Sequence, residues 1–202
     1  MDMEHKEIRK KLKKRLDKGR YEHTKGVMYT AGCLAMAHGY SVETAMLAGL
    51  LHDCAKCIPN QEKIELCKKN DIPISSVEYD NPHLLHAKLG AFVAEKDFGI
   101  TDPWVLHAIR VHTTGCPDMS TLDKIIYIAD YIEPGRDKAP NLEHVRVLAF
   151  QDLNACMAEI LHDTLKYLSS HGGPFDPTTK LTYQYYKPYQ KGREEHDISG
   201  IL

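Results

Sequence analysis

Apolar residues recur every three or four positions along almost the whole chain, and this spacing restricts the fold more than any other feature. It places apolar side chains on one face of a helix. Glycine or proline follows the end of several of these stretches, where helices commonly stop. No stretch has the alternating pattern of a strand that could compete with the helices. We therefore predict an all-α protein.

The periodicity predicts a helical bundle of about eight to ten helices. Predicted helices cover residues 3–18, 21–38, 60–70, 84–98, 102–112, 120–132, 141–149 and 151–170, with one more that Ser41 caps and that runs through Leu51. Residues 73–82 are predicted to be a loop. Residues 171–189 are rich in Gly, Pro, Thr and Tyr and are predicted to be a short irregular C-terminal segment. With no repeat or linker, we predict one domain at 1–190 and a polar tail at 191–202.

Composition and charge favour a small-molecule partner. The formal net charge is −2, and charges of both signs are spread along the chain, which weighs against nucleic acid or an anionic membrane as partner. The longest apolar stretch, Ala45 to Leu51, is far shorter than the ~20 residues that span a bilayer. The charged N-terminus lacks an apolar signal core. These features predict a cytoplasmic protein.

Asp53 directly follows the apolar helix that ends at His52. A buried carboxylate is costly unless it is hydrogen-bonded or binds a metal. Neighbouring helix residues differ in direction by about 100°, so His52 and Asp53 can reach one ion beside the helix end. His23 and Asp130 on other helices are suitable further donors, and such a mixed N/O set is typical of iron, manganese, zinc or nickel. The alternative is a hydrogen-bonded helix end, with Asp130 as a cap.

The order of one histidine, an adjacent His-Asp pair and a later aspartate resembles the HD superfamily of metal-dependent phosphohydrolases, which are helical bundles. Six segments are similar, in order and spacing, to the YqeK-type members, the symmetrical bis(5′-nucleosyl)-tetraphosphatases. These segments are RYEHTKGV (20–27), GLLHDCAK (49–56), LLHAKLGA (84–91), AIRVHTTG (108–115), DKIIYIADYIEPGR (123–136) and LTYQYY (181–186). The resemblance therefore extends over nearly the whole chain.

This resemblance implies a metal, typically iron, held by His23, His52, Asp53 and Asp130. It implies diadenosine tetraphosphate as the nucleotide substrate, cut in the middle to two ADP, and a homodimer. Manganese or another divalent transition metal is the alternative to iron. The positions that match substrate contacts in the family, or that we assign to the same pocket, are Arg20, Lys56, His86, His112, Thr113, Arg136, Gly173, Phe175, Thr182 and Tyr183.

The chemistry of a tetraphosphate agrees with these residue types. Its roughly four negative charges require cationic groups and hydrogen-bond donors during in-line displacement, and Lys56 is one of them. Asp53 could also orient the attacking water. Protonated, His86 and His112 could donate to a phosphate oxygen or the leaving ADP. Neutral, they could bind a second ion, but the family favours one.

Two other functions remain open at this point. The same metal site could act on a mononucleotide, a deoxynucleotide or a guanosine alarmone. Alternatively, the protein could be a nucleotide sensor without turnover, which the intact ligand set disfavours. Among the aromatic residues, Phe92, Trp104 and Tyr127 are predicted to lie in the core.

Overall fold

The computed structural model describes residues 3–171 and 175–190, and all regular structure within them is helical. This part of the chain contains eleven α-helices: α1 (Met3–Arg15), α2 (Lys18–Ala37), α3 (Val42–Leu51), α4 (Asn60–Lys69), α5 (Ser76–Asp80), α6 (His86–Phe98), α7 (Pro103–Val111), α8 (Thr121–Ile132), α9 (Leu142–Ala149), α10 (Leu153–His171) and α11 (Pro177–Tyr186). Two 3₁₀ turns cover Pro82–Leu85 and Lys187–Tyr189. The all-α prediction is confirmed.

Helix α3 lies at the centre of the bundle, in contact with α2, α7 and α8. Its residues Ala45, Ala48 and Leu51 are fully buried. Gly49 allows a close approach between α2 and α3, because a Cβ atom there would lie 3.0 Å from Met28 Cα of α2. The C-terminal end of α3 is therefore held inside the bundle, with His52 and Asp53 directly after it.

Side-chain caps set the beginnings of the helices around this centre. Ser41 accepts a hydrogen bond from the Thr44 N–H at the start of α3, and Asp102 accepts one from the Trp104 N–H at the start of α7. Ser120 and Asp123 form a reciprocal capping box at the start of α8. Each cap satisfies backbone donors that a helix end leaves free. The three predicted helix starts are confirmed.

The boundary between the first two helices differs from the prediction. The first helix was predicted to end at residue 18, with Gly19 as its stop, but Gly19 lies in the first turn of α2. The reason is Asp17, whose side chain accepts a hydrogen bond from the Arg20 N–H at 2.8 Å and so caps α2. Capping by the acid outweighs the usual terminating role of glycine here.

Two helices occur where none was predicted. The expected loop at 73–82 contains α5, which a capping box between Ser75 and Glu78 begins. The expected irregular segment at 171–189 contains α11, which starts with Asp176 as cap and Pro177 in the first turn. Proline and glycine content suggested loops in both places, whereas local caps and packing against the core stabilise helices.

Trp104 is exposed, so its predicted place in the core was wrong. Its side chain is 59% exposed, because Val105, Ala108 and Ile109 form the buried face of α7 and Trp104 lies beside that face. Tyr127 is buried as predicted, and Phe92 packs against the core while partly exposed.

None of the described helices has the length and apolar character needed to cross a membrane. The predicted tail at 191–202 lies outside the described residues, so the division at residue 190 stays a prediction.

Candidate metal centre

The four predicted metal ligands meet where α2, α3 and α8 approach one another. His23 lies on α2, His52 and Asp53 follow α3, and Asp130 lies on α8. His23 Nε2 is 3.1 Å from Asp130 Oδ1, and His52 Nε2 is 3.4 Å from Asp53 Oδ2. Ligand atoms lie within 4.8 Å of one another in two sets, His23 with His52 and Asp130, and His52 with Asp53 and His112.

Several buried atoms of this cluster make no hydrogen bond within the described part of the chain. They are His23 Nε2, His52 Nε2 and Asp53 Oδ1. Burying a polar nitrogen or oxygen atom without a partner costs folding free energy, unless a bound group such as a metal ion satisfies it. Two imidazole nitrogens beside two carboxylates form a donor set that a divalent transition metal accepts. The residues present therefore fit a metal ion.

Backbone carbonyls hold the rings of His52 and His112 through Nδ1, the nitrogen that points away from the cluster. His52 Nδ1 donates to the Gly49 carbonyl at 2.7 Å, and His112 Nδ1 donates to the Ile109 carbonyl at 2.7 Å. His52 and His112 follow the last turns of α3 and α7, where carbonyls lack helical partners. With the proton on Nδ1, the Nε2 lone pair of each ring is free for a metal or a donor.

His23 is held differently, by Glu133, which was not among the predicted site residues. Its Nδ1 lies 3.0 Å from Glu133 Oε1, and Glu133 is only 4% exposed. The second oxygen, Oε2, accepts a hydrogen bond from the Gly135 N–H at 2.6 Å. The sequence did contain a sign of this role. Glu133 is an acid at the end of the apolar α8, three residues after Asp130, within the segment 123–136 that resembles the family.

Two arginines neutralise the carboxylates of the centre. Arg20 Nη1 donates to Asp53 Oδ2 at 2.7 Å, while Arg136 donates to both the carboxylate and the backbone carbonyl of Asp130. Burial works to raise the pKa of Asp53, but the rings of His52 and His112 hold it well below its usual value. Burial likewise opposes ionisation of Asp130, and His23 lowers its pKa. Both aspartates are therefore anionic.

His86, His112 and Lys56 form a second group on the other side of Asp53. His86 Nε2 lies 3.1 Å from Lys56 Nζ, 3.1 Å from His112 Nε2 and 3.2 Å from Asp53 Oδ1. Burial lowers the pKa of His86 to about 4, so this ring is neutral near pH 7. Burial also lowers the pKa of Lys56. A neutral His86 accepts the hydrogen bond from Lys56.

A cleft of about 490 Å³ opens beside the centre. Of the predicted site residues, it is lined by His112, Thr113, Asp130 and Arg136. Its other walls include Tyr127, Tyr131, Lys138 and Thr164, none of which was assigned to the site from the sequence. They come from three separate stretches of chain, so no local motif connects them.

The C-terminal residues assigned to substrate lie in the packing of α11 or just before it. Thr182 donates to the carbonyls of Thr178 and Thr114, and the buried Tyr183 donates to Gln190 Oε1 at 3.1 Å. Phe175 packs against the core while partly exposed. Gly173 lies outside the described residues. The assignment of these four residues to substrate stays a prediction.

The helical bundle and its histidine–aspartate cluster define the class of the protein, an HD-type domain. The family model for the HD domain matches residues 20–135. A crystal structure of a protein from Clostridium acetobutylicum, described as a predicted HD superfamily hydrolase involved in NAD metabolism, is similar at a TM-score of 0.88 and 39% identity. The similarity covers 92% of this chain and 98% of that one.

Two bacterial relatives narrow the assignment. The symmetrical bis(5′-nucleosyl)-tetraphosphatase of Bacillus subtilis is 39% identical over 86% of this chain and 92% of its own. The enzyme of the same name from Halalkalibacterium halodurans is 41% identical over 89% of this chain and 95% of its own. The chain belongs to the HD domain family and, within it, to the family of these symmetrical tetraphosphatases. The predicted membership is confirmed.

Proposed function

We propose that this protein hydrolyses diadenosine tetraphosphate and related dinucleoside polyphosphates symmetrically, releasing two ADP from diadenosine tetraphosphate. The observation that carries the proposal is that Nε2 of both His23 and His52 lies within 4.0 Å of a carboxylate oxygen of Asp53 and of Asp130, beside a cleft that Arg136 lines. We infer the substrate from the names of the relatives, which are symmetrical bis(5′-nucleosyl)-tetraphosphatases. A polyphosphate suits this surface because it needs compensating positive charge on both sides of the bond that breaks.

We propose these four residues as the ligands of one divalent metal, with iron as the physiological ion and manganese as a substitute. The unsatisfied atoms on His23, His52 and Asp53 support this assignment. When bound by these residues, such an ion would supply a water of lowered pKa and positive charge beside the phosphates. Asp53 would also orient the water through Oδ1, which makes no hydrogen bond in the described part of the chain and lies between the centre and His86, 3.2 Å from His86 Nε2.

The cationic side chains around the centre have separate roles in this proposal. Arg136, whose side chain is 41% exposed at the cleft, would bind phosphate oxygens on that side. Arg20 and Lys56, on the side of Asp53, would bind the other half of the tetraphosphate. Charge-assisted hydrogen bonds of this kind are roughly twice as strong as neutral ones. Together they would hold the central bond of the substrate beside the metal.

His86 and His112 have two possible roles. Protonated at Nε2, they would donate to a phosphate oxygen, since Nδ1 of each ring already donates to a backbone carbonyl. As neutral ligands, they would hold a second ion, because His112 already lies with His52 and Asp53 in one of the two ligand sets. We favour one ion because the family resemblance points to it. Thr113, next to His112 at the cleft, would donate to phosphate.

The deciding experiment is product analysis with purified protein and ferrous iron or manganese. Diadenosine tetraphosphate should yield two ADP, and His52→Ala protein should yield none. Formation of AMP plus ATP would contradict symmetrical cleavage. Faster turnover of a mononucleotide or a guanosine alarmone would assign a different substrate, and tight binding without hydrolysis by metal-loaded protein would make it a sensor.

The homodimer and the cytoplasmic location also stay proposals. Sedimentation analysis of the full chain, with and without metal, would test the first. A mass of one chain under all conditions would exclude the homodimer.

A further inference from the structure

We infer that Glu133 is a positioning residue of the metal centre: it holds His23 through Nδ1 and thereby strengthens metal binding without touching the metal or the substrate. The inference rests on the metal proposed above. It concerns a residue outside the ligand set and outside the substrate contacts.

The contacts of Glu133 are unlike those of an ordinary acid at a helix end. Its carboxylate lies 3.0 Å from His23 Nδ1 through one oxygen and accepts the Gly135 N–H through the other. Within the described chain, no lysine or arginine forms an ion pair with it. A carboxylate that is 4% exposed, with an imidazole and a backbone amide as its hydrogen-bond partners, is costly to bury without a nearby cation. A cation on the far side of the His23 ring would offset that cost.

His23 is the site histidine that most needs such a support. His52, His86 and His112 each donate Nδ1–H to the carbonyl three residues earlier, so their own helical turns hold them. His23 lies within α2, where carbonyls are used by the helix itself, and its ring is held from α8 instead. A carboxylate also makes the imidazole a stronger donor to a metal than a carbonyl does.

Two glycines make room for the Glu133 side chain. A Cβ atom on Gly26 would overlap Glu133 Oε2, and one on Gly135 would lie 2.9 Å from Oε1. Gly26 belongs to α2, one turn after His23, where glycine lowers helix stability relative to alanine. The close packing on both sides restricts the carboxylate to the position where it meets His23.

The test is a Co²⁺ titration of the full-length protein, following the visible absorption that reports the ligand set. Glu133→Ala should bind Co²⁺ about 10- to 100-fold more weakly than wild type. Glu133→Gln should recover part of this loss, because its amide oxygen can accept from His23 Nδ1 while the charge is lost. Far-UV circular dichroism establishes that each variant is folded under the titration conditions.

Glu78→Ala is the matched control. Glu78 is 3% exposed, and it also accepts a backbone N–H, from Ser75 at 2.8 Å, but it lies at the start of α5. This variant should unfold at lower temperature and bind Co²⁺ like wild type. Unchanged Co²⁺ affinity in folded Glu133→Ala, or an equal loss in Glu78→Ala, would overturn the role of Glu133. Failure of the wild type to bind Co²⁺ would overturn the metal site itself.

Gly26→Ala tests the same contact without altering the acid. Its methyl group should displace Glu133 and weaken Co²⁺ binding in the wild-type background. In Glu133→Ala protein the same change should have little further effect, since the overlapping atoms are gone. Equal, additive losses in both backgrounds would show that Gly26 acts independently of Glu133 and would contradict the inference.

Discussion

At the scale of single residues, the histidines of the centre differ in what holds the nitrogen opposite the site. Backbone carbonyls hold His52, His86 and His112, whereas a carboxylate holds His23. In each case Nδ1 is occupied and Nε2 is directed to the cluster. The negative charge of the centre comes from Asp53 and Asp130, which Arg20 and Arg136 contact.

We expect His52→Ala and Asp53→Ala to lose metal and activity together, because each removes a proposed ligand. His112→Ala should keep the metal and lose most activity. Metal analysis of purified protein, beside the product assay, measures both. His144→Ala is the control, since His144 is exposed and lies outside the site. Loss of metal from His112→Ala would favour two ions.

At the scale of elements, the close contact between α2 and α3 positions the site. Gly49→Ala should lower the free energy of unfolding by about 1–3 kcal/mol, since the new methyl group meets backbone atoms of α2 that have no room to move. Urea unfolding of chelator-treated protein measures this.

Gly19→Ala is the matched control for that substitution. The atom nearest to its added Cβ is Asp17 Oδ1 at 3.4 Å, an ordinary contact. Alanine should therefore leave stability equal or raise it by up to about 1 kcal/mol through its better helix propensity. Equal destabilisation by both substitutions would contradict the importance of the interhelical contact.

Helix α11 is attached to the bundle by a buried tyrosine. Tyr186 is 2% exposed, and its hydroxyl oxygen accepts the Met119 N–H at 3.0 Å. Tyr186→Phe should cost about 1–3 kcal/mol, because it leaves a buried donor unsatisfied. Tyr185→Phe should change stability by less than about 0.5 kcal/mol, since Tyr185 is exposed. Thermal unfolding of the two variants compares them directly.

At the scale of the whole molecule, the proposed ligands connect the consecutive helices α2 and α3 with α8, which lies far along the chain. Metal binding should therefore stabilise the folded chain as a unit. At a free metal concentration 100 times Kd, the free energy of unfolding should rise by about 2.7 kcal/mol. Chelator should reverse the gain, and His52→Ala should show none. Calorimetry with and without manganese tests this, and equal stabilisation of His52→Ala would place the metal elsewhere.

Much of this molecule could be predicted from its sequence. Helical periodicity and local caps such as Ser41, Asp102 and Ser120 act within a few residues, so the all-α class and several helix starts follow from the chain itself. The adjacent pair His52 and Asp53 could be predicted as metal ligands because of its order with His23 and Asp130 and because the flanking segments resemble the family.

Other features depend on which helices meet. The support of His23 by Glu133, the space that Gly26 leaves for it, and the cleft walls at Tyr131 and Thr164 join positions separated by long stretches of chain. Trp104 likewise is exposed because it lies beside the face of α7 that packs into the bundle. The sequence by itself therefore determined the helices and the chemical types at the site, since these depend on local spacing. Only the tertiary structure decided the partners of each ring and carboxylate, because those depend on the packing of helices against one another.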